Sequence, residues 1–213
     1  NNNVTGECKY DPGGYFIING SEKTVLGQER AAENKIQIFN ISKNNSKWEF
    51  IAEIKSIPSF KCISPKQIAM YISDKTNDYT IYLSIPRVKK PLPLFVIFRA
   101  LNIISDKDIC KKIVLDIDDI ANKKILYRLS GSIVDGYHVK TYDDAIKYIT
   151  SNVMFTPINM DKDSGQQKKK EFAIEVIEND LFPHCRTKVE KIYFLGPMTN
   201  RLIKASLGEI SLD

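Results

Sequence analysis

Near Pro86 the apolar period of the chain changes, and that change bounds the fold. Before it, apolar residues come in short runs with a two-residue alternation. After it, they recur at the three-to-four spacing of helices. A strand-rich first half followed by a helix-rich second half reads as α+β, with hairpins packed against helices.

Trp48 to Lys55 carries the first pattern. Trp48, Phe50, Ala52 and Ile54 alternate with Glu49, Glu53 and Lys55, interrupted only by Ile51. Such alternation predicts a strand with one buried face. Tyr15 to Ile18, Lys23 to Glu29, Asn34 to Phe39, Gln67 to Ser73 and Tyr79 to Ile85 complete the expected strands. Asn19-Gly20 joins the first two, a pair that tolerates the positive φ of a tight hairpin turn. Asn40 to Lys47 reads as a polar hairpin tip.

In the second half, Pro93 to Asn102 predicts a helix with proline harmless in its first turn. Ser105 is placed to cap a helix running to about Val114, with Asp106 and Asp108 favouring its dipole. Asp116 to Leu129 reads as helical, ending before Gly131. Thr141 caps a helix through Asn152. Asn159 to Gln167 reads as a polar loop. Lys168 to Leu181 and Lys188 to Leu207 follow as helices, the second broken at Gly196-Pro197.

Several function classes fall away. No apolar run approaches the roughly 20 residues that span a bilayer, so no membrane partner is expected. The four cysteines form no close pair, and His138 and His184 are the only histidines, so no structural zinc site is expected. Four reduced thiols in an intracellular protein is the plain reading. The net charge of +5 permits nucleic-acid contact without demanding it. The chain starts without a basic, apolar leader and without an initiator methionine, as a segment of a longer protein would.

Three blocks carry a resemblance. Gly6-Glu7-Cys8-Lys9-Tyr10-Asp11-Pro12-Gly13-Gly14-Tyr15-Phe16-Ile17-Ile18-Asn19-Gly20-Ser21-Glu22-Lys23 runs on to Gln28-Glu29-Arg30. Pro91 to Asp106 contains the apolar stretch Leu94-Phe95-Val96-Ile97-Phe98 and then Arg99-Ala100-Leu101. Leu181-Phe182-Pro183-His184 is followed by Tyr193-Phe194-Leu195-Gly196-Pro197-Met198-Thr199-Asn200-Arg201-Leu202. In this order and at about this spacing, the blocks resemble the second-largest subunit of multi-subunit DNA-directed RNA polymerases, of eukaryotic messenger-RNA and archaeal type. Asn40 to Lys47, Ser73 to Asp78 and Met154 to Gln167 depart from that pattern, as does Pro197.

The resemblance implies terminal strands of the protrusion over 1–33, the lobe over 34–207 and a tail over 208–213. It implies a noncatalytic lobe segment lining the cleft for downstream DNA. Partners would be the remainder of the same subunit, the largest subunit, downstream DNA and transcription factors. Mg²⁺ would serve the whole polymerase, with no cofactor bound by this segment. The alternative is a polymerase-derived module that docks transcription factors with little DNA contact. The Asn, Lys and Ile bias fits an AT-rich genome, placing the protein in the nucleus of a cell or in the cytoplasmic factory and virion of a large DNA virus.

Five residues are candidates for nucleic-acid contact. Arg87, Lys89 and Lys90 sit between Pro86 and Pro91, on what reads as an exposed, stiff connection; solvated surface charge is the plainer reading. Gln28 and Arg30 belong to the first block, and the family's return strand faces the hybrid and fork. Arg30 paired with a surface acid is the plainer alternative there. Lys168 to Lys170 read as opening a helix, where cations oppose the dipole. Leu115-Asp116-Ile117-Asp118-Asp119-Ile120 resembles a metal-holding carboxylate pair, but reads more simply as an acidic helix start with its apolar residues turned inward. His184 lacks an evident catalytic partner in the sequence and reads as a packed histidine, as does His138.

Overall fold

The computed structural model describes residues 6, 8–41, 47–73, 79–157 and 161–212. The chain divides into two compact units, 1–31 and 32–213.

The first unit is a hairpin of β1 (Tyr15–Ile18) and β2 (Ser21–Thr24), antiparallel, with Tyr15 opposite Thr24 and Ile18 opposite Ser21. Its turn has φ of 51° at Asn19 and 76° at Gly20, the paired positive values that an Asn-Gly turn accommodates. The expected return strand to Glu29 stops at Thr24. Gly13 and Gly14, with φ of 68° and 85°, turn the chain away just before Tyr15, so β2 has nothing to pair with beyond Thr24.

The second unit holds a five-stranded antiparallel sheet in chain order. Its strands are β3 (Gln37–Asn40), β4 (Phe50–Ser56), β5 (Lys66–Ile72), β6 (Ile81–Ser84) and β7 (Leu92–Pro93). Residues 42–46, the centre of the expected hairpin tip, lie outside the described residues. Register fixes two faces: Ala52, Met70 and Leu83 align on the inner one, while Ile51, Tyr71 and Tyr82 align on the other. Ala52, Ile54, Ile68, Met70, Ile72, Ile81 and Leu83 are each at most 1% exposed, so Ala52 and Ile54 of the predicted β4 face point into the core. Trp48, expected on that face, precedes the strand and lies against Tyr71 and Tyr82 on the other.

Helices cover that inner face. They are α1 (Leu94–Ala100), α2 (Asp106–Val114), α3 (Lys123–Gly136), α4 (Tyr142–Asn152), α5 (Lys162–Asn179) and α6 (Lys188–Ser206). α6 packs on β4 and β5, α2 lies against α6, and α1 is wrapped by α3 and α4. All seven residues of α1 are buried, Arg99 among them. Its guanidinium donates to Gly136 O and Asp106 Oδ1, both at 2.5 Å, and its Nε reaches Ile104 O at 3.5 Å. A buried cation is tolerated where such acceptors replace water. Thr141 caps α4 as expected, its Oγ1 accepting from Asp144 N at 3.1 Å. Among the described residues no helix is long and apolar enough to cross a membrane.

Three helix expectations need correction. Residues 116–119 form turns, a short 3₁₀ segment spans Ile120–Asn122, and α3 continues through Gly131 to Gly136. Gly136 ends it against α1, where an added Cβ would lie 2.8 Å from Phe95 Cβ. α5 begins at Lys162, capped by the Asp161 carboxylate, so most of the expected loop is helical; residues 159 and 160 lie outside the described residues. α6 runs unbroken through Gly196-Pro197. There, an added Cβ on Gly196 would stand 2.1 Å from Lys112 O, and Asn200 Nδ2 donates to Ile113 O at 2.9 Å. With Leu195, Met198, Thr199 and Leu202 fully buried as well, packing outweighs the roughly 3 kcal/mol cost of an internal proline.

Candidate nucleic-acid interface

The segment after β6 is stitched to the end of α4. Val88 bridges Val153, Lys89 N donates to Asn152 O at 2.8 Å, and Met154 N donates to Arg87 O at 2.8 Å. Arg87 sits at φ 64°, a left-handed conformation that a non-glycine residue adopts only under constraint. Its side chain explains the constraint. Nε donates to the Asp180 carboxylate, and both terminal nitrogens lie 3.1 Å from Glu175 Oε1. The guanidinium carbon lies 4.8 Å from the Phe172 ring centre, and Phe172 stacks on Phe155 at 5.0 Å. Asp180 is 2% exposed and also takes Lys66 Nζ at 3.1 Å.

The three-cation set is therefore divided. Lys89 and Lys90 are exposed, as expected of a connection available to phosphate. Arg87 is not a free surface cation; it fastens the connection to α5. Gln28 and Arg30 are exposed in the first unit, in irregular chain after β2 rather than in a strand. Arg87, Lys89 and Lys90 belong to the second unit, so the five candidates fall into two groups.

Lys168 to Lys170 do not open a helix. They lie in the middle of α5, where the N-terminal dipole no longer opposes them. Lys169 and Lys170 line a groove of ≈ 480 Å³ with Lys147, Ser151 and Gln166, and Lys170 Nζ is 3.7 Å from Asp143 Oδ1.

The carboxylates of 116–119 serve the backbone. Asp116 Oδ1 accepts from Asp118 N and Asp119 Oδ1 from Ala121 N, each at 3.0 Å. Leu115 and Ile120 are 81% and 76% exposed, so the expected inward turn of the apolar residues fails for both. Leu115 adopts φ 65° and reverses the chain at the end of α2, which throws its side chain outward. Each turn thus engages one carboxylate oxygen, Asp116 Oδ1 and Asp119 Oδ1. Among the described residues no group of three His, Cys, Asp or Glu side chains is placed to hold a metal.

His184 has a partner that the sequence did not reveal. Its Nδ1 lies 2.7 Å from Ser56 Oγ, which also accepts from His184 N at 3.2 Å. Ser56 is 0% exposed, so no substrate reaches that hydroxyl. The ring packs edge-on to Phe194 at 4.6 Å, and burial, then the charge of Lys191, holds its pKa below the ordinary value. This is a packed histidine. His138 is exposed and rests on Tyr148 at 5.7 Å. Lys191, 3% exposed, donates to Ile177 O and Glu178 O at 2.9 and 2.6 Å and so satisfies carbonyls at the end of α5. Burial pulls its pKa down to about 8.

Residues 23–213 match the family described as RNA polymerase Rpb2, domain 2. The chain belongs to that family.

Its relatives are polymerase subunits from two domains of life. It is 34% identical over 98% of its length to DNA-directed RNA polymerase II subunit RPB2 of Encephalitozoon cuniculi. It is 30% identical, again over 98%, to DNA-directed RNA polymerase subunit Rpo2 of Saccharolobus solfataricus, and 28% identical over 95% to DNA-directed RNA polymerase II subunit 2 of Arabidopsis thaliana. The chain spans 17% of the length of each of these relatives. Arg99, Gly196 and Asn200 each lie in a block that carried the resemblance, and each joins elements of the second unit. The partners of Arg87 lie about 90 residues away, where no sequence pattern marks them.

Proposed function

We propose that this chain is the noncatalytic lobe of the second-largest subunit of a DNA-directed RNA polymerase, lining the cleft for downstream DNA. The observation that carries this reading is the match of 23–213 to the Rpb2 domain 2 family. Residues 1–33 would be terminal strands of the protrusion, 34–207 the lobe and 208–213 a tail. In this reading the remainder of the subunit, the largest subunit, downstream DNA and transcription factors are the partners, and the nucleus is the site of action for a cellular enzyme. A large DNA virus would place it instead in the viral factory and virion. Bond formation and the Mg²⁺ that supports it belong to the whole polymerase.

Lys89 and Lys90 supply the DNA-facing charge of the second unit. They are exposed, and Lys89 is held by its backbone to the end of α4, so two phosphate contacts would be sequence-blind. Gln28 and Arg30 would add sugar or phosphate contacts from the first unit. Arg87 positions Lys89 and Lys90 rather than touching phosphate.

The test is the salt dependence of DNA binding by the assembled polymerase. Lys89→Ala with Lys90→Ala should reduce the slope of log K against log salt by roughly two, about one per phosphate. An unchanged slope rejects those contacts. The factor-docking alternative draws support from a half-exposed aromatic cluster on the outer face of the sheet.

A further inference from the structure

The outer face of the five-stranded sheet carries aromatic residues that the core does not use. Tyr71 and Tyr82 are register partners on β5 and β6, and both are half-buried. Trp48, just before β4, lies with its ring centre 5.4 Å from Tyr71 and 5.3 Å from Tyr82. Lys47 sends its ammonium over this cluster, 5.0 Å from the Trp48 ring and 5.6 Å from Tyr82. Its backbone is fixed by Ser73 Oγ, which donates to Lys47 O at 3.3 Å.

Negative charge flanks the rings. On α3, Ser132 Oγ accepts from Ile81 N at 2.9 Å, which fastens the helix beside β6. Asp135 follows three residues later on the same helix face and meets the Tyr82 hydroxyl. Its Oδ2 is buried and has no hydrogen-bond partner among the described residues. Burial, then Asp135, pushes the Tyr82 hydroxyl up to about 12. Across the cluster, Glu53 lies close enough to Tyr71 to raise that hydroxyl as well, after burial.

Aromatic faces attract cations, and nearby carboxylates strengthen the pull. A nucleic-acid phosphate would meet two carboxylates here, so the charge is wrong for it. A basic polypeptide is complementary, and an internal lysine already lies over the rings.

We propose that Trp48, Tyr71, Tyr82 and Asp135 form a recognition site for an arginine or lysine side chain of a protein partner, with Lys47 as the resident competitor. This rests on the docking role proposed for the lobe and gives that role a partner chemistry. The arriving cation displaces Lys47 from the rings, and the charge of Asp135 behind Tyr82 favours it there. Lys47 sets a threshold, because a partner must outbind a tethered cation.

Trp48 is the one tryptophan of these 213 residues and reports directly on the site. The probe is acetyl-Gly-Arg-Gly-amide, titrated against Trp48 fluorescence beside its citrulline analogue. Saturable quenching by the arginine peptide and none by the citrulline peptide is expected. Lys47→Ala should tighten arginine binding about two- to five-fold, the size of one cation–π contact at a partly exposed site. Lys107→Ala, an exposed lysine on α2, should leave it unchanged. Tyr82→Leu, checked for parental circular dichroism, should weaken it by a similar factor.

Equal response to citrulline, no saturation, or Lys47→Ala binding no tighter than parent overturns the proposal. Saturation by oligo-dT in place of the arginine peptide overturns it in favour of base stacking. None of these outcomes bears on membership of a polymerase, which co-purification tests separately.

Discussion

Replacing Arg87 by alanine strands a carboxylate. Asp180 is 2% exposed and loses the guanidinium, keeping only Lys66 Nζ at 3.1 Å. Breaking a buried pair costs about 3–5 kcal/mol, because the remaining charge is desolvated without compensation. The surviving Lys66 contact offsets part of that. Glu175 is 50% exposed, so its pair with Arg87 adds about 0–1 kcal/mol. The Phe172 contact adds roughly 0.5–1 kcal/mol. The net expectation is a loss of about 2–4 kcal/mol, which for a domain of this size lowers Tm by about 5–15 °C. Urea and thermal unfolding of the chain measure it. Adding Asp180→Asn to Arg87→Ala should recover part of the loss, because the stranded charge is gone. A Tm within 1 °C of the parent, or a double variant less stable than Arg87→Ala, would refute the assignment of Arg87 to structure and return it to the candidates for phosphate contact.

Further outcomes follow from the same geometry. Gly196→Ala should destabilise by about 2 kcal/mol or more in urea unfolding, because the new methyl meets the Lys112 carbonyl at 2.1 Å and a helix-propensity gain of about 1 kcal/mol cannot offset it. Thr141→Ala should cost about 1 kcal/mol by the same assay and Thr141→Ser much less, since the hydroxyl caps α4. Lys191 titrates at about 8 in the fold against 10.5 unfolded, so between these values the unfolded chain binds more protons and stability rises with pH. Cys110 and Cys185, pushed up to about 11 by burial, act in the opposite sense above their ordinary value of 9.0. The rise is therefore clearest from about pH 8 to 9, and Lys191→Met should flatten it in urea midpoints measured across that window. Maleimide at neutral pH should modify Cys8 and Cys62 in the native chain, and Cys110 and Cys185 only after unfolding, as mass spectrometry would show.

Much of the fold was legible because local signals agreed with packing. The alternation named Ala52 and Ile54 on the buried face of β4, though it misplaced Trp48, and Asn19-Gly20 named the turn between β1 and β2. Thr141 and Asp144 marked a helix start that the structure keeps. The sequence misled where packing overrode a local rule. Pro197 reads as a break, but the close approach of Gly196 to Lys112 and the buried row around it hold α6 continuous. α5 was hidden because its first two turns carry almost no apolar residues, leaving only Asp161 to announce it.

The candidate site was less legible than the fold. Arg87, Lys89 and Lys90 look alike in sequence, and only the long-range contacts of Arg87 with Glu175 and Asp180 separate them. Ser56 and His184 are 128 residues apart, so their pairing had no sequence signature. Strand alternation could place Tyr71 and Tyr82 off the core face. It could not bring Trp48, Lys47 and Asp135 to them, since that requires the register of β5 on β6 and the docking of α3.

The most direct test of the polymerase reading is to recover the full-length protein containing this segment from its source and assay the preparation for RNA synthesis. Co-purification with a largest polymerase subunit, and RNA synthesis that requires both a DNA template and Mg²⁺, is the predicted result. A protein recovered without that subunit and without templated synthesis would contradict it.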